Sequence, residues 1–328
     1  MYQTYLWKIK PMSSYITPWQ SDTIYGHLLW GIKLFYGEDE INATIKEFEE
    51  KKPPFIVSNG FSSKRVKENG KEKLEMSFPI PKKSLPKRAD SSELAKKHEL
   101  TTVEVVNLLK KINKIKEVRL DDFNKLRGNY SNIEFVSDLL SKKNEDVIKS
   151  QASALVMHNS INRLSGTTEE NNLFSLEENF AEEICIYIKV RSDYPIGKIE
   201  KLLSFIEGNG FGKKASAGKG AIETISFGKF DGFTKVDNAN GFIVLSNYIP
   251  KANDYTKIVS GNTVLKIGKV ANIDGNEDFP FKKPFTCFSA GSIFIKGENE
   301  ISGKVLRDIH IDKKIVQIGI PFTLEVIV

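Results

Sequence analysis

Apolar and polar positions along the chain follow two periods, and the order in which those periods alternate predicts the architecture. Tyr5-Leu6-Trp7-Lys8-Ile9-Lys10 is rich in aromatic and β-branched residues and is stopped by Pro11, which reads as an opening strand. Ser13, Ser14, Thr17 and Pro18 then make a polar loop. Asp22 suits an N-cap for a helix reaching Tyr36, with Ile24, Leu28, Ile32 and Phe35 on one face and Gly37 fitted to end it. Residues 54–58 and 74–79 read as two strands of a hairpin, flanking a basic connection that holds Lys64, Arg65, Lys67, Lys71 and Lys73. From about residue 86 to 149, lysine and glutamate at helical spacing mark an insertion. Within it Thr101 and Glu104 fit a capping box, and Val105, Leu108, Leu109 and Ile112 form an apolar stripe.

The period returns to two where Ile184, Ile186, Ile188 and Val190 alternate with Cys185, Tyr187 and Lys189, the pattern of a half-buried strand. Pro195 precedes a helix whose apolar face is Ile196, Ile199, Leu202, Leu203 and Ile206. A glycine-rich run leads into another strand at residues 221–227. The sum, β-α-β-β, an insertion, then β-α-β, predicts an α+β fold: a ferredoxin-like (RRM-like) domain over residues 1–230 carrying a helical insertion at about 86–149. Short strand signals at residues 241–245, 291–296 and 322–326 predict a smaller β-rich domain over 231–328, a degenerate second ferredoxin-like copy.

Composition narrows this picture only a little. Hydrophobic residues at 40% and charged residues at 27% fit a folded globular chain. Lys and Arg number 48 against 42 Asp and Glu, and the resulting +6 leans toward a polyanionic partner, although clustering rather than the sum decides that point. Cys185 and Cys287 are too few for a disulfide framework or a sulfur-rich zinc site, which points to a reducing compartment. No apolar run of about 18 residues and no secretory leader occur, so a cytoplasmic protein without a membrane span is expected.

Chemistry concentrates in residues 208–220, Gly208-Asn209-Gly210-Phe211-Gly212-Lys213-Lys214-Ala215-Ser216-Ala217-Gly218-Lys219-Gly220. Glycines let backbone N–H groups approach a phosphate while lysines supply charge, although the same composition suits a flexible surface connection. The Walker A spacing fails, because Lys219 is followed by Gly220 rather than Ser or Thr. Gly210, Gly212 and Ala215 match a dinucleotide fingerprint, but this run follows a helix and precedes a strand, the reverse of what that fingerprint needs. ATP and NAD are thereby disfavoured. A second polar stretch, residues 158–168 with Leu173 and Phe174, offers His158, Asn159, Asn162 and Arg163 to phosphate or ribose, or else merely satisfies its own turns. Among His27, His98, His158 and His310 no acid–base pair is recognisable; His27 reads as packed, and His158 is the candidate for metal-independent RNA cleavage. No metal-ligand set or cofactor motif appears, so a chain that binds without catalysing is expected.

These stretches together resemble the RAMP superfamily of CRISPR-associated proteins, whose ferredoxin-like domains carry a glycine-rich loop between the last helix and the last strand, the place residues 208–220 occupy. Residues 17–28, beginning Thr17-Pro18-Trp19-Gln20, are similar to the N-terminal signature of subunit four, of the Cas5-like group, in the type III-A Csm effector. Residues 158–168 and 283–294 resemble the same family, and the insertion lies outside the match. The resemblance implies a non-catalytic subunit that grips the 5′ repeat-derived tag of the guide RNA (crRNA), abuts the large polymerase-like subunit and touches the backbone RAMP subunits. It also implies tag contacts from Gly210, Gly212, Lys213, Lys214, Ser216, Gly218 and Lys219, joined by Ser13, Ser14, Thr17 and Gln20, with His158, Asn159, Asn162 and Arg163 completing the groove. A guide-processing, metal-independent endoribonuclease is the alternative.

Overall fold

In a computed structural model the alternating runs form a six-stranded antiparallel sheet; the structure describes residues 1–328 except 69–70, 84–91, 93–94, 97–98, 114, 131–133, 136–137, 139–150, 160–162, 168–172, 271–279 and 300. In chain order come β1 (Tyr2–Pro11), β2 (Phe55–Glu68), β3 (Lys71–Pro79) and β4 (Glu117–Arg119). A separate hairpin, β5 (Gln151–His158) and β6 (Phe174–Ala181), precedes β7 (Glu183–Arg191) and β8 (Ile222–Lys229). The helices are α1 (Ser21–Glu49), α2 (Thr102–Asn113), α3 (Leu120–Arg127) and α4 (Ile196–Asn209). The sheet order β4-β3-β2-β7-β1-β8 places the buried strand β7 inside, between β2 and β1. There β1 and β7 pair from Tyr2↔Arg191 to Ile9↔Ile184. Helices α1 and α4 pack on each other, a Cβ at Gly31 having only 2.9 Å to the Leu202 side chain.

Several local expectations need correcting. Gln20, extended at φ −106°, takes the cap position of α1, whereas Asp22 lies inside the first turn. Its carboxylate is drawn away by Lys266 Nζ at 3.1 Å and Asn247 Nδ2 at 2.9 Å. Gly37, at φ +87°, interrupts the helix as its sequence suggests, but the chain re-enters a helix at once and continues to Glu49. Strand β7 is buried on both faces rather than half-buried, because the Tyr187 ring meets Phe230 and Phe233 at 5.0 Å each in a second layer. The insertion is not purely helical: β4 pairs with β3, and α3 lays Phe123 on Phe78 at 4.8 Å. Its capping box does form, with Thr101 N–H donating to Glu104 at 2.9 Å and Glu104 N–H to the Thr101 hydroxyl at 3.3 Å.

Beyond β8 follow β9 (Gly241–Val244), β10 (Tyr255–Ser260), β11 (Thr263–Lys266), β12 (Phe285–Phe288), β13 (Ile293–Lys296), β14 (Val305–Leu306), β15 (Gln317–Ile318) and β16 (Thr323–Val326). A four-stranded sheet in the order β10-β13-β9-β16 is their largest unit. Its Ile243, Ile293 and Val326 join Trp7, Tyr187 and Ile199 in one apolar cluster, so the core runs without a break from the first strand to the last. Cys185 and Cys287 are buried and free, and burial pushes both thiols up to about 11. Among the described residues no helix is long and apolar enough to cross a membrane.

Candidate nucleic-acid interface

The glycine-rich loop is held in place by one aromatic side chain and by its own amides. Phe211 is fully buried; its ring stacks on Trp19 at 3.7 Å and 10°, and the His27 ring lies 5.0 Å away. Phe211 N–H donates to Gly220 O at 2.9 Å, which closes the loop at its base. Gly220 N–H donates to Ser14 O at 2.9 Å, Ala221 N–H to Ser13 Oγ at 3.0 Å, and Lys213 N–H to Thr17 Oγ1 at 2.8 Å. Gly212 N–H donates to His27 Nε2 at 3.3 Å. Burial lowers the His27 pKa to about 4, so the ring is neutral and its Nε2 is free to accept. The glycines are needed for close approach: a Cβ at Gly220 would lie 2.1 Å from the Phe211 carbonyl oxygen, and one at Gly212 would lie 2.4 Å from Thr17 Cβ. Several loop amides that sequence reasoning offered to phosphate are therefore spent on joining this loop to residues 12–20.

Behind that joint sits a polar cluster. Lys219 Nζ reaches Ser14 Oγ at 2.9 Å and Glu178 Oε2 at 2.8 Å, and the Ser14 hydroxyl donates to the same carboxylate oxygen at 2.6 Å. Glu178 is 3% exposed, and the Lys219 ammonium and Ser14 hydroxyl hold its carboxyl below the usual range. His158 Nε2 lies 3.4 Å from Glu178 Oε1, without hydrogen-bond alignment. The imidazole stacks on Phe174 at 5.6 Å, and Lys214 Nζ stands 5.1 Å from that same ring. Three segments thus converge: the loop after β1, the loop before β8, and the β5–β6 hairpin, which is tied in by Tyr15 N–H donating to Asn179 O at 3.1 Å.

The expected residues fall into distinct groups. Ser13, Ser14, Thr17, Gly210, Gly212 and Lys219 build the joint itself. Lys213, Ser216 and Gly218 are exposed on the loop, and Lys214 is half-buried beside Phe174. Asn159 and Arg163 are exposed past the end of β5, where Ser165 and Thr167 hydroxyls bond each other at 2.8 Å. Gln20 stands apart, its side-chain oxygen accepting from Lys266 of β11. Asn162 and His98 lie outside the described residues. Sequence reasoning missed Glu178, Trp19 and Phe211. The available signal was the alternating row Phe174, Leu176, Glu178, Phe180, in which a carboxylate occupies an otherwise apolar position. Chemically, exposed amines beside a half-exposed aromatic ring suit a sugar-phosphate chain with unstacked bases.

No family model and no curated protein sequence matches the chain. Its fold is similar to that of a chain in the crystal structure of the Csm3-Csm4 subcomplex in the type III-A CRISPR-Cas interference complex, at TM-score 0.58 and 16% identity over 98% of both chains. It is also similar to a chain in the Csm1-Csm4 cassette in complex with cA4, at TM-score 0.56 and 14% identity, again over 98% of both. The same cassette in complex with pppApApA gives TM-score 0.55 and 13% identity, with the same coverage. Csm4 is the protein common to both kinds of assembly, and the fold of this chain is consistent with it.

Proposed function

We propose that this chain is a guide-RNA-binding subunit of a type III-A CRISPR effector complex, holding the 5′ repeat-derived tag of the crRNA and docking the large polymerase-like subunit beside the backbone RAMP subunits. The observation that carries the reading is the convergence of the lysine-bearing glycine loop with the loop after β1 and with the Phe174 side of the hairpin. In this reading the strand order β2-β7-β1-β8 with α1 and α4 is the ferredoxin-like unit of residues 1–230, and residues 231–328 are its degenerate companion. Gel-shift titration with guide RNA bearing or lacking its tag tests it. Tighter binding of tagged RNA, weakened by Lys213→Ala with Lys214→Ala, is expected; equal affinity for both RNAs, untouched by the substitutions, refutes it. Co-purification with the polymerase-like and backbone subunits tests the docking.

Binding without cleavage is part of the proposal. Lys219 is engaged by a buried carboxylate, so its ammonium is not free to protonate a leaving oxygen. Among the described residues, the placement of His158 beside Glu178, which also holds Lys219, is what favours the endoribonuclease reading. Incubation of the isolated protein with precursor RNA in chelator separates the two: intact RNA supports a scaffold, and cleavage abolished by His158→Ala supports the enzyme.

A further inference from the structure

Glu178 puts a full negative charge into the joint that carries Lys213, Lys214 and Lys219. On β6 it shares a face with Phe174, Leu176 and Phe180, and its side chain points between the glycine loop and the loop after β1. One carboxylate oxygen, Oε2, takes the Lys219 ammonium at 2.8 Å and the Ser14 hydroxyl at 2.6 Å. The other, Oε1, is buried without a hydrogen-bond donor, and His158 Nε2 stands out of alignment at 3.4 Å. Lys219 directs two of its three N–H donors inward, to Glu178 and to Ser14 Oγ at 2.9 Å, yet its side chain is 26% exposed and so reaches the surface.

Holding the hairpin in place does not require that charge. Tyr15 and Asn179 already join the hairpin to the loop after β1 through two backbone bonds, Tyr15 N–H to Asn179 O at 3.1 Å and Asn179 N–H to Tyr15 O at 2.8 Å. An amide oxygen at position 178 would accept from Lys219 and Ser14 as well, without burying a carboxylate half-satisfied. What the carboxylate adds is cancellation of the Lys219 charge. A free cation there would attract a phosphate of any strand, whatever its sequence. A strand held by charge alone can slide until a phosphate meets that cation, whereas a strand fixed in register by other contacts cannot. An uncancelled Lys219 would therefore favour RNAs that lack the register-setting contacts.

We infer that Glu178 is a specificity-determining residue: by neutralising Lys219 it denies untagged RNA a phosphate contact and confines binding to the outer lysines, Lys213 and Lys214. This rests on the guide-RNA reading. Fluorescence anisotropy with tagged and untagged guide RNA across a salt series, beside thermal melts, tests it on the full parent chain, on Glu178→Gln, and on Glu178→Gln combined with Lys219→Gln. Glu178→Gln should steepen the slope of log affinity against log salt for untagged RNA by about 0.7 and tighten that RNA about fivefold at about 0.1 M salt. Tagged RNA should gain less, so the preference for the tag shrinks. The doubly substituted chain, with no freed cation, should return to the parent's slope. An unchanged slope in Glu178→Gln, equal gains for both RNAs, or a steeper slope that survives the second substitution would overturn the inference and leave the guide-RNA reading in place. So would a Glu178→Gln chain that no longer melts cooperatively, since the carboxylate would then be a structural tie. A parent chain with no preference for tagged RNA sinks the guide-RNA reading, and the inference with it.

Discussion

Sequence treats Lys213, Lys214 and Lys219 alike, but the fold gives them different jobs, and salt dependence separates them. Lys219 is neutralised by Glu178 at 2.8 Å, whereas Lys213 is exposed and Lys214 lies beside the Phe174 ring. Each lysine that neutralises a phosphate of a single strand contributes about 0.7 to the slope of log affinity against log salt. Replacing Lys213 and Lys214 by alanine should flatten that slope by about 1.4, so that raising salt fourfold costs the variant roughly sevenfold less than it costs the parent protein. Lys219→Ala should leave the slope essentially unchanged, because its charge is already spent. Its effect should instead be a lower melting temperature, since Glu178 would stay buried without its cation. Fluorescence anisotropy of tagged guide RNA across a salt series, beside thermal melts, gives both quantities. A Lys219→Ala slope flattened as much as that of the double variant would refute the division of labour.

Other consequences follow from the same joint. Phe211→Ala removes a fully buried ring stacked on Trp19 and should cost about 3–5 kcal/mol in denaturant unfolding, with RNA affinity falling as the loop loses its anchor. Gly220→Ala places a Cβ 2.1 Å from the Phe211 carbonyl at φ +66°, so it should destabilise by more than the roughly 1–2 kcal/mol of a left-handed alanine alone; an unchanged melting temperature would contradict the packing. His27, lowered to about 4, is less basic folded than unfolded, so its contribution is present above about 6.5 and is lost as pH falls from there toward 4. Over that window the native state should lose up to about 3 kcal/mol relative to a His27→Gln variant, measurable by urea titration at stepped pH.

How much of this was legible in the chain depends on how far apart the partners lie. Elements fixed by local periodicity came through: the alternating isoleucines give β7, the 196–209 stripe gives α4 with Ile199, Leu202, Leu203 and Ile206 buried, and Thr101 with Glu104 forms its capping box. Of the late strands β9, β13 and β16 were found from short apolar runs, while β4, three residues long, is too short to show a period. Strand β5 was missed because its residues Leu155 and Met157 are apolar yet 74% and 58% exposed, so its apolar positions do not mark a buried face, whereas the alternating row of β6 was there to be read. The site itself defeats local reading for a different reason. Ser14 meets Glu178 across 164 residues and Thr17 meets Lys213 across 196, so whether a lysine is available or neutralised is decided by a carboxylate that no window around the loop contains. The glycines read as a phosphate cradle let two loops approach within backbone contact, and that contact consumes amides which an isolated glycine loop would offer to a phosphate. The proposed RNA contact is therefore to be sought on the outer surface of the joint, with Lys213 and Lys214, rather than in its interior.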